Sequence, residues 1–177
     1  MRWMARFWVG VLVAARALSQ QPGPLPEPLL KARCIGFIAG FTLYPPSSPQ
    51  VAPISIGLLG SPNFEEHFRE VFPPERTILG RRVRLEYPKT EAEAKMLKVL
   101  FIGRSEEARL SEILHWVKGR PVLTIGDTPG FAEKGVMVNI ILEKQLIRLE
   151  VNLQASREAG LDFQSTFLKY SRIISRN

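Results

Sequence analysis

The sequence predicts a three-layer α/β sandwich, with a mostly parallel sheet and an antiparallel hairpin near its C-terminal end. Two observations lead to this fold class. Short apolar runs typical of buried strands alternate with segments typical of helices, an order that favours parallel strands covered by helices on both faces. Residues 136–152 then alternate apolar and polar side chains on both sides of a short break, which is typical of a β-hairpin.

The composition is that of one globular domain with few chemically specialised residues. The chain has 177 residues, of which 45% are hydrophobic and 23% charged. A single cysteine, Cys34, excludes an intrachain disulfide framework and a multi-cysteine metal site. We interpret it as a small core residue, with an intermolecular disulfide as the alternative. The formal charge is +7, but no aromatic residues are interleaved with the densest basic cluster, at 81–84, so we expect no nucleic-acid partner.

Residues 1–19 have the layout of a secretory signal peptide. Arg2 and Arg6 form a positively charged start, an apolar run follows, and cleavage fits after Ala17 or Ser19. The alternative is an uncleaved membrane anchor. The apolar run is too short to cross about 30 Å of hydrocarbon. We therefore predict export to the periplasm by a cleaved signal peptide.

After the signal peptide, a proline-rich linker over 20–28 precedes a single domain over 29–177. Two prolines at 45–46 end the first helix of this domain, and Asn63 and Thr90 are candidate N-caps of later ones. The first predicted elements are a helix over 29–43, a strand over 54–60, a helix over 64–72, a strand over 82–87, a short helix over 91–94 and a strand over 99–102.

The second part of the domain contains the hairpin. The two-residue connection can lie at 143–144 or at 144–145. Both positions place the same side chains on one wholly apolar face, so both predict the same hairpin. The remaining predicted elements are a helix over 105–118, a strand over 121–125, the hairpin strands over 136–142 and 146–152, and short helices over 154–159 and 167–174.

Five ordered segments of the domain match the pattern of a known family. They are Lys31-Ala32 with Phe37, Phe41 and Tyr44-Pro45; residues 54–60 with Phe64; residues 99–102 with Ser105, Glu106 and Leu110; residues 120–127 with 130–133, Gly135, Met137 and Asn139; and residues 148–152 with 159–161, Leu168 and 172–174. In this ordered set the chain resembles the YfiR-like family of exported bacterial proteins over roughly 29–174.

The resemblance implies a periplasmic protein that does no chemistry of its own. The best-known member of the family represses a membrane-bound diguanylate cyclase from the periplasmic side, which lowers cyclic-di-GMP and restrains biofilm formation. Some members contain cysteines that this chain lacks, so we expect no redox control through disulfides.

We therefore predict a regulatory protein that binds the periplasmic part of an inner-membrane sensor, such as a diguanylate cyclase or a histidine kinase. The sequence is compatible with a homodimer as well as with a monomer. We expect no enzymatic activity, cofactor or metal. The alternative function is a periplasmic small-ligand binding module that serves a transporter or sensor.

Candidate binding residues cluster around the strand at 121–125 and the hairpin. Asp127 follows the carboxyl end of a parallel strand, where α/β sheets bind ligands, and the polar face of the hairpin would form a second wall. The predicted ligand or partner cleft consists of Asp127, Phe131, Asn139, Arg148, Glu150 and Asn152. The alternative is structural: Asp127 would lock its turn by accepting backbone N–H bonds, and the hairpin residues would form a polar network.

Overall fold

The structure is a computed structural model that describes residues 25–46, 52–60, 64–143 and 146–174. The predicted signal peptide, most of the predicted linker and the predicted cap Asn63 lie outside the described residues. None of the helices in the described ranges is long and apolar enough to cross a membrane.

Helices and strands alternate along most of the chain. The helices are α1 (Glu27–Phe41), α2 (Phe64–Val71), α3 (Glu91–Ala94), α4 (Leu110–Trp116), α5 (Leu153–Glu158) and α6 (Ser165–Leu168), and a 3₁₀ helix (Arg104–Arg109) leads into α4. The strands are β1 (Thr42–Leu43), β2 (Ile54–Leu59), β3 (Thr77–Ile78), β4 (Arg81–Glu86), β5 (Val99–Ile102), β6 (Leu123–Gly126), β7 (Val138–Glu143), β8 (Leu146–Val151), β9 (Asp162–Phe163) and β10 (Ser171–Ile173).

Eight of the described strands form one sheet in the order β10-β8-β7-β6-β5-β2-β4-β3, and β1 pairs with β9 beside it. The five strands from β4 to β7 in this order run parallel, whereas β7 and β8 form the predicted antiparallel hairpin. The hairpin register pairs Glu143 with Leu146, which fits the predicted connection at 144–145.

Side chains on the two faces of the sheet enter two separate cores. In β5, Val99 and Phe101 pack in the core that contains α1 and α2, whereas Leu100 and Ile102 pack in the core that contains α4. Alternate side chains of a strand point to opposite faces, so helices cover the sheet on both sides. The predicted three-layer α/β sandwich is confirmed.

The first helix differs from the prediction at both ends. It begins at Glu27, inside the segment predicted as linker, because Pro28 fits the first helical turn, where its missing N–H is not needed. It ends at Phe41, since Thr42 and Leu43 turn into β1 and pair with β9. Within it, a Cβ on Gly36 would lie 2.1 Å from Cζ of Phe72, so glycine is needed for that ring to pack against α1.

Four short strands were not predicted. β3 forms a hairpin with β4, and β9 pairs with β1. The prediction of a helix over 167–174 is wrong in its second half, because α6 stops at Leu168 and Ser171–Ile173 pair with β8 as β10. Strands of two or three residues depend on their neighbours for hydrogen bonds, so the local sequence gives little signal for them.

Candidate functional site

Asp127 lies just past the carboxyl end of β6, as predicted, but its carboxylate is already bound. Nζ of Lys31 in α1 donates to Oδ2 of Asp127 over 2.6 Å, and the Thr128 hydroxyl donates to Oδ1 over 3.3 Å. Lys31 also pairs with Glu27 at 2.5 Å. Burial lowers the pKa of Lys31, but the hydrogen bonds to the two carboxylates outweigh burial and raise it above the ordinary value.

The side chains of Phe131 and Asn152 are fully buried. Phe131 packs in the core beneath α4. Nδ2 of Asn152 donates to the carbonyl of Ala132 over 2.8 Å, and its Oδ1 accepts from the backbone N–H of Ala155 over 2.9 Å, which caps α5. One asparagine therefore both starts a helix and holds the segment between β6 and β7.

Asn139, Glu150 and Arg148 form a network on the polar face of the hairpin. Nδ2 of Asn139 donates to the carbonyl of Thr128 over 2.8 Å and to Oε2 of Glu150 over 3.4 Å. The buried Glu150 carboxylate also lies 3.7 Å from Nε of Arg148 and 3.6 Å from Nη1 of Arg172, an arginine that the prediction had not included. This second arginine belongs to β10, so the network joins β10 to the hairpin.

The structure thus brings the predicted residues together around the segment 127–137, but as internal contacts. The two asparagines hold this segment by the carbonyls of Thr128 and Ala132, and Asp127 ties it to α1. This geometry favours the structural alternative, although the donors to Asp127 are an ammonium and a hydroxyl rather than the backbone N–H groups expected. In the described ranges, no three His, Cys, Asp or Glu side chains are grouped to hold a metal ion.

A different concave surface was not predicted. We call it the α1 groove: a trough of about 850 Å³ between α1 on one side and the end of α2 with the β3–β4 hairpin on the other. Its walls include Phe37, which is 48% exposed, and Leu79, which is 67% exposed, while Phe72 and Ile78 line it below.

Aromatic packing holds the α1 wall of this groove in place. The Phe37 ring lies 4.5 Å from that of Phe41 and 6.1 Å from that of Phe167, measured between centroids. Phe37 and Phe41 are four residues apart, so they lie on one face of α1. This spacing was visible in the sequence. Because α1 has apolar residues on every side, the spacing did not show that this face is open.

Charged groups lie along the edges of the groove. Arg33 lies on the α1 wall and Arg76 on the opposite wall, and neither has an ion pair with any other residue that the structure describes. Glu70 also lines the groove, and its carboxylate is 3.9 Å from Nδ1 of His67. The surface therefore has an apolar centre and a mainly basic rim.

Together these features define a small, mostly parallel α/β domain with an open apolar groove beside its first helix. The YfiR/HmsC-like family model matches residues 29–172, so the chain belongs to that family. Proteins of this family are periplasmic regulatory proteins.

Two solved structures with a similar fold come from bacteria. The chain is similar to a conserved domain protein from Vibrio cholerae O1 biovar El Tor (TM-score 0.55, 12% identity, covering 86% of this chain and 61% of that one). It is also similar to the ABC domain in complex with L-Trp from Streptococcus pneumoniae (TM-score 0.54, 10% identity, 81% and 60%). The chain thus spans about three fifths of each, and the likeness shows the fold alone. The curated proteins contain no match to this chain.

Proposed function

We propose that this protein regulates an inner-membrane signalling protein by binding its periplasmic part through the α1 groove. The observation that carries the proposal is the apolar groove itself, with Phe37 and Leu79 exposed on facing walls. Large apolar side chains grouped on a surface mark interaction sites, and aromatic residues are enriched where binding energy is concentrated. Family membership supports the compartment and the regulatory role.

The shape of the groove favours a protein segment over a small molecule. A small-ligand pocket encloses most of its ligand and directs a few polar groups inwards. Here the charged groups Arg33, Arg76 and Glu70 lie among exposed residues, and the centre is apolar. An apolar centre with a polar rim is the usual anatomy of a protein–protein interface. The alternative, a small-ligand module, was predicted at Asp127, whose carboxylate is bound to Lys31.

The regulation is a shift in population. If the protein binds the inactive form of its partner more tightly than the active form, it shifts the equilibrium towards the inactive form, at saturation by the ratio of the two affinities, and so lowers the output. For a diguanylate cyclase the output is cyclic-di-GMP, and repression restrains biofilm formation; a histidine kinase is the other class of sensor. Export by a cleaved signal peptide is part of the proposal, and the mechanism requires no catalysis, cofactor or metal from this chain.

Affinity capture in the native host tests the proposal. The full chain is expressed with a tag after Asn177. The inner membrane is then solubilised, and the tagged protein is captured together with any membrane protein bound to it. We compare the wild type with Phe37→Glu in the groove and with Leu146→Glu, which replaces a residue that is 74% exposed on the β8 hairpin strand. The carboxylate introduced by Phe37→Glu would lie against the apolar wall, so we expect at least about tenfold weaker binding, equivalent to about 1.4 kcal/mol, and a clear loss of captured protein.

The wild type and Leu146→Glu should both recover an inner-membrane protein with a cytoplasmic output domain. Adding wild-type protein should then lower the activity of that output domain, and Phe37→Glu should not. Recovery of no such membrane protein by the wild type would overturn the proposed function. Equal recovery by Phe37→Glu would show that the partner binds elsewhere.

A further inference from the structure

The turn between β3 and β4 places a leucine in a backbone conformation that leucine rarely adopts. Ile78 pairs with Arg81, which leaves Leu79 and Gly80 as a two-residue turn. Their φ angles are +52° and +74°, and Leu79 is the only residue other than glycine with a positive φ in the described ranges. Two positive φ angles are the mark of a type I′ turn, which prefers Asn, Asp or Gly at the first position. A leucine there is strained by its Cβ.

The fold gains little from this leucine. The Leu79 side chain is 67% exposed, so it buries little apolar surface within the chain. The neighbours hold the turn instead: Ile78 is buried, and Nε of Arg81 donates to the carbonyl of Ala52 over 2.6 Å. Strain that the surroundings impose without a gain in folding points to a function for the strained residue.

We infer that the α1 groove binds an amphipathic helix of the partner, with its apolar face between Leu79 and the Phe37–Phe41 wall and with acidic side chains that meet Arg33 and Arg76. This inference rests on the proposed function and names the chemistry of the partner. Its two supports are the strained, exposed Leu79 at the groove and the two basic groups that have no ion-pair partner among the described residues.

The α1 wall has the spacing that helices use to pack on one another. Arg33, Phe37 and Phe41 recur every four residues and form a ridge along α1, against which a second helix can pack. An extended segment would instead need a strand edge with which to pair. The edge strand at this groove, β3, has only two residues and offers too few free backbone groups to align such a segment.

Two designed peptides test the chemistry of the occupant against the full-length protein. Both are helices of about 18 residues, or five turns, with leucines spaced to form one apolar face. One has glutamates on both flanks of that face and the other has lysines. Binding is measured by fluorescence anisotropy at low and high salt. We expect the acidic peptide to bind at least about tenfold more tightly, and added salt to reduce the difference.

Substitutions in the protein separate the contribution of Leu79 to binding from its contribution to folding. Leu79→Asn places a residue that type I′ turns favour, so we expect an unchanged or higher Tm together with at least about fivefold weaker binding. Leu146→Asn is the matched control, since it likewise replaces an exposed leucine, here at the first residue of a hairpin strand, and we expect it to bind as the wild type does. The double variant Arg33→Glu with Arg76→Glu should invert the preference between the two peptides.

The outcomes distinguish this inference from the proposed function. Equal binding of the two peptides would overturn the inference. A Leu79→Asn variant that binds normally would also overturn it, and so would one whose Tm falls together with its binding. A dimer that Leu79→Asn converts to a monomer in sedimentation would show that a second copy occupies the groove, and would also overturn it. If the peptides behave as expected but affinity capture recovers no inner-membrane protein, the inference stands and the proposed function fails.

Discussion

Lys31 and Asp127, which are 96 residues apart in the sequence, are joined by a hydrogen bond of 2.6 Å between Nζ and Oδ2. The side chains are only 15% and 10% exposed. This contact ties the first half of α1 to the carboxyl end of β6. The same helix carries Phe37 and Phe41, so the contact also fixes one wall of the α1 groove relative to the sheet.

Replacement of Asp127 by Asn should lower the free energy of unfolding by about 2 kcal/mol, because the partly buried ammonium of Lys31 loses the charge of its carboxylate partner. Urea denaturation at pH 7 measures this value. The matched control is Glu65→Gln, which removes an ion pair with Arg69 on the surface and should leave the stability nearly unchanged, because exposed ion pairs contribute little. If Asp127 instead binds a ligand and does not support the fold, Asp127→Asn will leave the stability unchanged.

The contribution of Lys31 to the stability of the folded protein should decrease at high pH. Its pKa in the folded protein is raised above the ordinary lysine value, so the folded state holds this proton more tightly than the unfolded state. The contribution is therefore complete below the unfolded pKa and is lost as the pH rises through the folded pKa. The difference in stability between the wild type and Lys31→Met should be constant from pH 7 to about 9 and should shrink above the ordinary lysine pKa, about 10.4. A difference that grows at high pH would contradict this assignment.

Phe131 should behave as a core residue. Its ring is fully buried between the sheet and α4, so Phe131→Ala should cost about 3–5 kcal/mol through the cavity that it leaves. Thermal and urea unfolding both measure this loss. A change below about 1 kcal/mol is what an exposed cleft wall would give, and it would support the cleft predicted from the sequence.

Loss of the Asn152 side chain should cost more than loss of an ordinary helix cap. Asn152→Ala removes the cap of α5, worth about 1 kcal/mol, and leaves the carbonyl of Ala132 without its donor, at about 1–3 kcal/mol more. Thr90→Ala is the comparison, because Thr90 caps the short helix α3 in an exposed position and should cost about 1 kcal/mol or less. Equal losses in the two variants, measured by urea denaturation, would show that the contact with Ala132 adds nothing.

Cys34 should react slowly as a thiol. Burial raises its pKa from 9.0 to about 11, so at pH 8 the thiolate is about a hundredfold scarcer than for an ordinary cysteine. Alkylation of the native protein at pH 8 should be slower than that of the urea-unfolded protein by a similar factor. Equal rates, or a disulfide-linked dimer in the oxidised protein, would favour the alternative in which Cys34 forms an intermolecular bond.

The sequence contained enough information for the fold class because the strands of the sheet centre, β2, β5 and β6, are apolar and helices lie between them in the sequence. The pairing of Ser171–Ile173 with β8 was not predictable in the same way, since it depends on a neighbour about twenty residues earlier rather than on local pattern. For the same reason the sequence identified Asp127 and Asn152 as unusual polar residues but not their partners, Lys31 and the carbonyl of Ala132.

The α1 groove was missed because three separate segments build it. Phe37, Phe72 and Leu79 come from α1, from the residue after α2 and from the β3–β4 turn. The leucine at position 79 did carry a signal, because a Leu-Gly pair is an uncommon choice for a tight turn, but β3 is too short to be recognised as the first strand of a hairpin.

Site-specific photo-crosslinking in living cells tests the central claim most directly. A photoreactive phenylalanine analogue replaces Phe37 in the full chain, and the same analogue replaces Leu146 in the control. Our account predicts that position 37 crosslinks to an inner-membrane signalling protein, that position 146 does not, and that Leu79→Asn in the same chain weakens the crosslink. A crosslink to that membrane protein from position 146 and not from position 37 would contradict it.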